Sequence, residues 1–136
     1  MAYITFYTKL GCLAAGKQLR LLRESGHRID VQDLLTQPWR ASELAKYFSG
    51  LPVAERFNMN APRVKSGEIN PAALDVDAAL ELMLADPLLI RRPLMVVGNR
   101  RICGFDPVFL QNWIGLVAAE APTVAADWNS DACLDG

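Results

Sequence analysis

Cys12 offers the most direct chemistry in this chain. It follows the apolar run Ala2-Tyr3-Ile4-Thr5-Phe6-Tyr7 and the loop Thr8-Lys9-Leu10-Gly11, and a helical pattern begins directly after it at Leu13. A thiol at the start of a helix faces backbone N–H groups without helical partners and the positive end of the helix dipole. Both favour the thiolate. Lys9 and Lys17 add positive charge nearby in the sequence. The chemistry this supports is nucleophilic attack by sulfur. The competing reading of the same cysteine is a small apolar core residue without reactivity. Ala15 stands where a CxxC motif would carry its second cysteine, so Cys12 acts alone or with a distant partner.

The remaining cysteines divide by surroundings. Cys103 lies inside a predicted strand and reads as a buried structural thiol, whereas Cys133 sits in an Ala-rich tail that could bring it to Cys12 as a resolving thiol. Three widely spaced cysteines match neither a disulfide framework nor a zinc site with paired ligands, so no metal is expected and free thiols in a reducing compartment fit better. The single histidine, His27, follows Gly26 at a helix exit and reads as a strand-entry residue rather than a ligand or base.

The 136 residues, 51% of them hydrophobic, suit one globular domain with a sizeable core. Lys and Arg total 14 against 15 Asp and Glu, for a net charge of −1, which makes a nucleic-acid partner unexpected. Only a local patch of Arg91, Arg92, Arg100 and Arg101 could serve one. No apolar run approaches the ~18 residues that cross a bilayer, and the N-terminus lacks a basic flank followed by a cleavable apolar region. A cytoplasmic protein with no membrane contact is the expectation.

The elements that must position Cys12 alternate along the chain. Ala15, Leu19 and Leu22 mark the buried face of a helix that ends at Ser25-Gly26, and residues 27–33 read as the next strand. Two strands joined through a helix lie parallel with a right-handed crossover. Residues 40–48 read as a short helix, and residues 51–71, broken by Pro52, Pro62, Gly67 and Pro71, as a loop or short-helix insertion. Val76, Ala79, Leu80, Met83 and Leu84 form a helical stripe with Asp75 and Asp77 in its first turn. Gly98-Asn99 signals a hairpin between two short strands. A final helix over about 107–117 is predicted to bury Val108, Phe109, Trp113 and Leu116 or their near neighbours, and the tail from residue 118 to 136 to be flexible.

The order β-α-β, helical insertion at about 38–88, then β-β-α over residues 1–117 is that of an α/β thioredoxin-like (glutaredoxin-type) mixed sheet flanked by helices. The strand with its loop to Cys12, the segment Leu89-Ile90-Arg91-Arg92-Pro93-Leu94 and the segment Gly98-Asn99-Arg100-Arg101-Ile102-Cys103 resemble the arsenate reductase (ArsC-like) family over roughly Tyr3 to Leu116. Ala61-Pro62-Arg63-Val64-Lys65-Ser66-Gly67-Glu68-Ile69-Asn70-Pro71 resembles that family's nitrogenase-associated branch.

The resemblance implies Cys12 as thiolate nucleophile and Arg92 as a guanidinium that grips an oxyanion bidentately. Lys9, Gly11 and Lys17 would support anionic groups, and Arg92–Pro93 would be a cis bond beside the cysteine whose backbone pairs with a peptide or glutathione. It implies no tightly bound cofactor, glutathione as co-substrate, and glutathione, a glutaredoxin-type protein or a nitrogenase-related protein as partner. Family arginines fall on Asn58 and Gly104, and Thr8 replaces a loop histidine of the true reductases, which argues against efficient arsenate reduction; Arg56, Arg63, Arg91 and Arg101 are the candidates to substitute for them in space. The expected function is a thiol oxidoreductase. The alternative is a non-catalytic binding or regulatory module, as in relatives that contact RNA polymerase.

Overall fold

The computed structural model describes residues 2–115. Four strands, β1 (Tyr3–Thr8), β2 (Arg28–Asp33), β3 (Leu94–Val97) and β4 (Arg100–Cys103), form one sheet in the order β2-β1-β3-β4. β1 and β2 are parallel because α1 (Leu13–Glu24) carries the chain back between them, while β3 runs antiparallel to both β1 and β4. Gly98, at φ +61, turns the chain between β3 and β4, a conformation that glycine adopts without the clash a Cβ would bring.

The two-residue period of the strands sorts side chains into two cores, one on each face of the sheet. Ile4, Phe6 and Met95 pack with Ala15, Leu21 and Leu22 of α1 and with Leu110 of α5 (Pro107–Trp113). Leu94, with Tyr7 and Val96 alongside it, faces the opposite core. That core is built by the segment between β2 and β3, which contains α2 (Ala41–Ala45), α3 (Pro62–Lys65) and α4 (Val76–Ala85), with short 3-10 turns before, between and after them.

α1 ends as its sequence implies: the Gly26 N–H donates to the Arg23 carbonyl and the His27 N–H to the Leu22 carbonyl, the paired bonds of a Schellman motif. His27 is buried at the entry to β2. Its Nδ1 accepts from the Ala2 N–H at 2.9 Å, so Nε2 carries the proton and donates to the Gly115 carbonyl at 2.6 Å. The ring ties the start of β1 to the end of α5.

Two expectations are corrected. α5 stops at Trp113, and its buried face is Pro107 and Leu110; Val108 and Phe109 are 51% and 36% exposed. Asp106 caps the helix and sets its phase, and the Arg100 guanidinium stacks on the Phe109 and Trp113 rings at 5.1 and 5.2 Å; Trp113, partly buried, packs against the core as expected. In α4, Ala79 and Met83 are buried but Val76 is exposed beside the Asp75 cap. The sequence positions 116–136, with the predicted ends of the last helix, the tail and Cys133, lie outside the described residues.

Candidate functional site

The β1–α1 junction places Cys12 at the N-cap of α1 with extended backbone angles (φ −73°, ψ 128°) and without a side-chain capping bond. Gly11 before it has φ +83, which completes the turn out of β1. No acidic residue stands in the first turn of α1, so the dipole's positive end is not neutralised from within the helix. Cys12 is disulfide-bonded in this structure, and the thiolate chemistry below belongs to the reduced protein.

Cys12 lines a cleft of about 420 Å³, a size that suits a small ligand. One wall is Thr8 at the end of β1 and the α1 face of Ala14, Ala15 and Gln18. The other is the stretch from Ala54 to Asn60 together with Arg91 and Arg92, which lead into β3. These last two segments are pinned side by side: the Asn58 N–H donates to the Leu89 carbonyl at 2.8 Å, the Arg91 N–H to the Arg56 carbonyl at 3.0 Å, and Phe57 bridges Ile90. The cleft therefore brings Cys12, at a helix N-terminus, together with Arg91 and Arg92.

The residues named from sequence separate here. Cys12 and Arg92 line the same cleft, 80 residues of chain apart in number but adjacent in the fold. Lys9, Gly11, Lys17 and Pro93 are not among its lining residues, and Lys17 points out from the exposed face of α1. The Arg92–Pro93 bond is cis. Pro93 is buried and its carbonyl accepts the Gly104 N–H at 2.8 Å, so Pro93 aligns β3 with the end of β4 rather than offering that carbonyl to a ligand.

The family model for ArsC matches residues 11–111. The chain belongs to the ArsC family. An uncharacterized 15.7 kDa protein in the draG 3' region of Rhodospirillum rubrum is 50% identical over 88% of this chain and 84% of its own. Among solved structures, an ArsC family related protein from Bacteroides fragilis superimposes with TM-score 0.70 at 21% identity, covering 81% of this chain and 97% of that one. The arsenate reductase from Vibrio cholerae gives TM-score 0.63 at 22% identity, covering 76% and 90%. These likenesses show the ArsC-type, thioredoxin-like fold.

Against the ArsC resemblance, Asn58 lines the cleft but its amide is committed to the backbone. Nδ2 donates to the Leu88 carbonyl at 3.2 Å and Oδ1 accepts the Asn60 N–H at 3.0 Å. Asn58 thus builds the wall. Of the candidate substitutes for the missing arginines, Arg56 donates twice to the Leu51 carbonyl and lies over the Phe48 ring. Arg63 pairs with Glu68 at 2.8 Å and Asp86 at 3.0 Å, and Arg101 faces Glu43 and Tyr47. Only Arg91 enters the cleft. Because Arg100 and Arg101 point elsewhere, the four arginines named as a candidate patch do not form one.

The segment 61–71 serves as a brace. Arg63 ties α3 to the end of α4, and Asn70 caps the turn Pro71–Ala73. Sequence reading missed Gln18, Met59 and Asn60 as cleft residues, whereas Arg91 was among its candidate substitutes. For Gln18 a signal existed: a polar residue three positions after Ala15 falls on the buried face of α1.

Among the described residues no group of His, Cys, Asp and Glu could hold a metal ion, and no helix is long and apolar enough to cross a membrane.

Proposed function

We propose that this ArsC-family protein is a cytoplasmic thiol oxidoreductase with Cys12 as its nucleophile and glutathione, or a glutaredoxin-type protein, as its reductant. The observation that carries the reading is Cys12 at the N-cap of α1 inside a cleft walled by Arg92. The helix terminus favours the thiolate and the guanidinium holds a negative group of the substrate.

The Cys12 thiolate attacks one sulfur of a substrate disulfide, forming a mixed disulfide and releasing the other half as a thiolate. A glutathione thiolate then attacks the Cys12 sulfur and releases the second half. A second glutathione attacks the glutathione sulfur, regenerates Cys12 and leaves as oxidised glutathione. Two glutathione thiols are oxidised for one disulfide reduced, and their protons pass to the released thiolates. Cys133 is proposed as an internal alternative to the first glutathione. Lys9 and Lys17 contribute charge around the opening rather than direct contacts. Arsenate is a poor fit, because Asn58 is committed to the wall and Gly104 has no side chain.

A second reading, a protein-docking module, draws on the exposed Leu10 (58%), Leu13 (72%) and Met59 (56%). Leu10 and Leu13 flank Cys12 in sequence, and Met59 lines the cleft. Apolar side chains around a reactive thiol suit a protein partner. The likeness of residues 61–71 to the nitrogenase-associated branch supports a nitrogen-fixation setting and a nitrogenase-related partner.

Comparing Cys12→Ser with the parent in a glutathione-linked reductase assay and in a partner pull-down separates the readings. Activity lost with binding retained is the expected result. Inactivity of both forms with binding unchanged would leave the docking module.

A further inference from the structure

We propose that Arg91 is a second anion-binding group of the Cys12 cleft, held in place because Gly104 leaves room for its guanidinium. The inference deepens the oxidoreductase reading, on which it rests for the use of the site, by naming the residue that shares the substrate's charge with Arg92.

Three observations place the group. The Arg91 backbone is clamped: its N–H donates to the Arg56 carbonyl at 3.0 Å, and its carbonyl accepts the Cys103 thiol at 3.6 Å. The side chain reaches across to the Glu55 carbonyl, to which Nη1 donates at 3.1 Å. A Cβ built on Gly104 would lie 2.9 Å from Arg91 Cζ and Nη2 and 3.0 Å from Nε, so the guanidinium covers the spot that any other residue at 104 would fill. Gly104 also has φ +87, and its N–H is pinned to the Pro93 carbonyl at 2.8 Å, so neither side of this contact is loose.

The remaining donors decide what Arg91 can do. Among the described residues no carboxylate pairs with it within 4.0 Å, in contrast to Arg63 and Arg101. Nη1 is anchored on a neutral carbonyl, which leaves the charge intact, and Nε and Nη2 form an edge suited to two oxygens of one anion. With Arg92 on the same wall, the cleft suits a small ligand with at least two negative oxygens. A glutathionyl group, which carries two carboxylates, meets that requirement and is the ligand the oxidoreductase reading expects.

The test is equilibrium binding to the reduced full-length protein, followed by NMR at the Arg Nε–H signals and the Gly104 amide. The probes are inorganic sulfate and S-methylglutathione, neither of which can exchange with a thiol. Wild type should show saturable shifts at Arg91 and Gly104 with one or both probes, S-methylglutathione the tighter. Arg91→Gln should raise Kd about tenfold, and Arg91→Lys less, since it keeps the charge and loses the fork. Gly104→Ala should weaken binding by displacing the guanidinium; Arg91→Gln leaves the backbone alone and is the deciding variant. No saturable binding by wild type, or an unchanged Kd in Arg91→Gln, overturns the proposal. Cys12→Ser keeps the anion site, so binding that depends on Arg91 without reductase activity removes only the oxidoreductase reading. Activity with an Arg91-independent Kd removes only this one.

Discussion

Cys12 and Cys103 both lie against the Arg91–Arg92 segment, and the molecule treats them in opposite ways. Cys12 caps a twelve-residue helix and opens into a cleft. Cys103 ends β4 with its sulfur turned to the Arg91 carbonyl, packed beside the core that holds Leu94. Burial pushes the Cys103 thiol up to about 12, although Arg91 and Arg56 both pull it down. Proximity to arginine alone therefore does not activate a thiol. At Cys103, loss of water from around the sulfur outweighs two nearby cations.

The sharpest break of this comparison is chemical. In the reduced protein at pH 8, a thiol near 12 is ionised about once in 10⁴ molecules, whereas an ordinary thiol near ~8.5 is ionised to about a quarter. Iodoacetamide should label Cys12 roughly 10³-fold faster than Cys103, read by peptide mass mapping. Rates within tenfold of each other would end the contrast.

Stability at alkaline pH sharpens it next. The folded Cys103 thiol is raised from 9.0 to about 12, so its contribution is complete below about 9 and disappears as pH climbs toward 12. Wild type should lose about 1.4 kcal/mol per pH unit more than Cys103→Ala across that window, measured by urea unfolding. Tyr47, raised by burial from 10.0 to about 12, adds a loss of the same sign above pH 10, which Tyr47→Phe should remove.

Smaller effects test the walls. Asn58→Ala removes the bonds to the Leu88 carbonyl and the Asn60 N–H, and should cost about 1–3 kcal/mol while broadening NMR signals around Arg91 and Arg92. Asp106→Ala, which uncaps α5 by deleting bonds to the Val108 and Phe109 N–H groups, should cost about 1 kcal/mol in thermal unfolding and leave the labelling ratio unchanged.

Local physics made much of this protein legible in its sequence. The apolar run before Cys12, the spacing of Ala15 and Leu22, the Gly26 helix stop and the Gly98-Asn99 turn each act within a few residues, and each stands in the structure as its spacing implies. The order of those elements was enough for the thioredoxin-like sheet and for Cys12 at a helix start. In α5 burial falls on Pro107 and Leu110, the neighbours of Val108 and Phe109, because the Asp106 cap and the Arg100 stack on Phe109 turn those two side chains outward.

The cleft itself was decided by tertiary structure. Arg63 is a candidate substitute for a missing arginine until its partners Glu68 and Asp86 are seen, and Arg91 gains its place from the empty side of Gly104. Periodicity reports which face of an element is buried. It carries no record of which distant carbonyl will absorb a side chain's donors, or which missing Cβ will make room for a guanidinium, because those outcomes arise only when segments far apart in sequence are packed together.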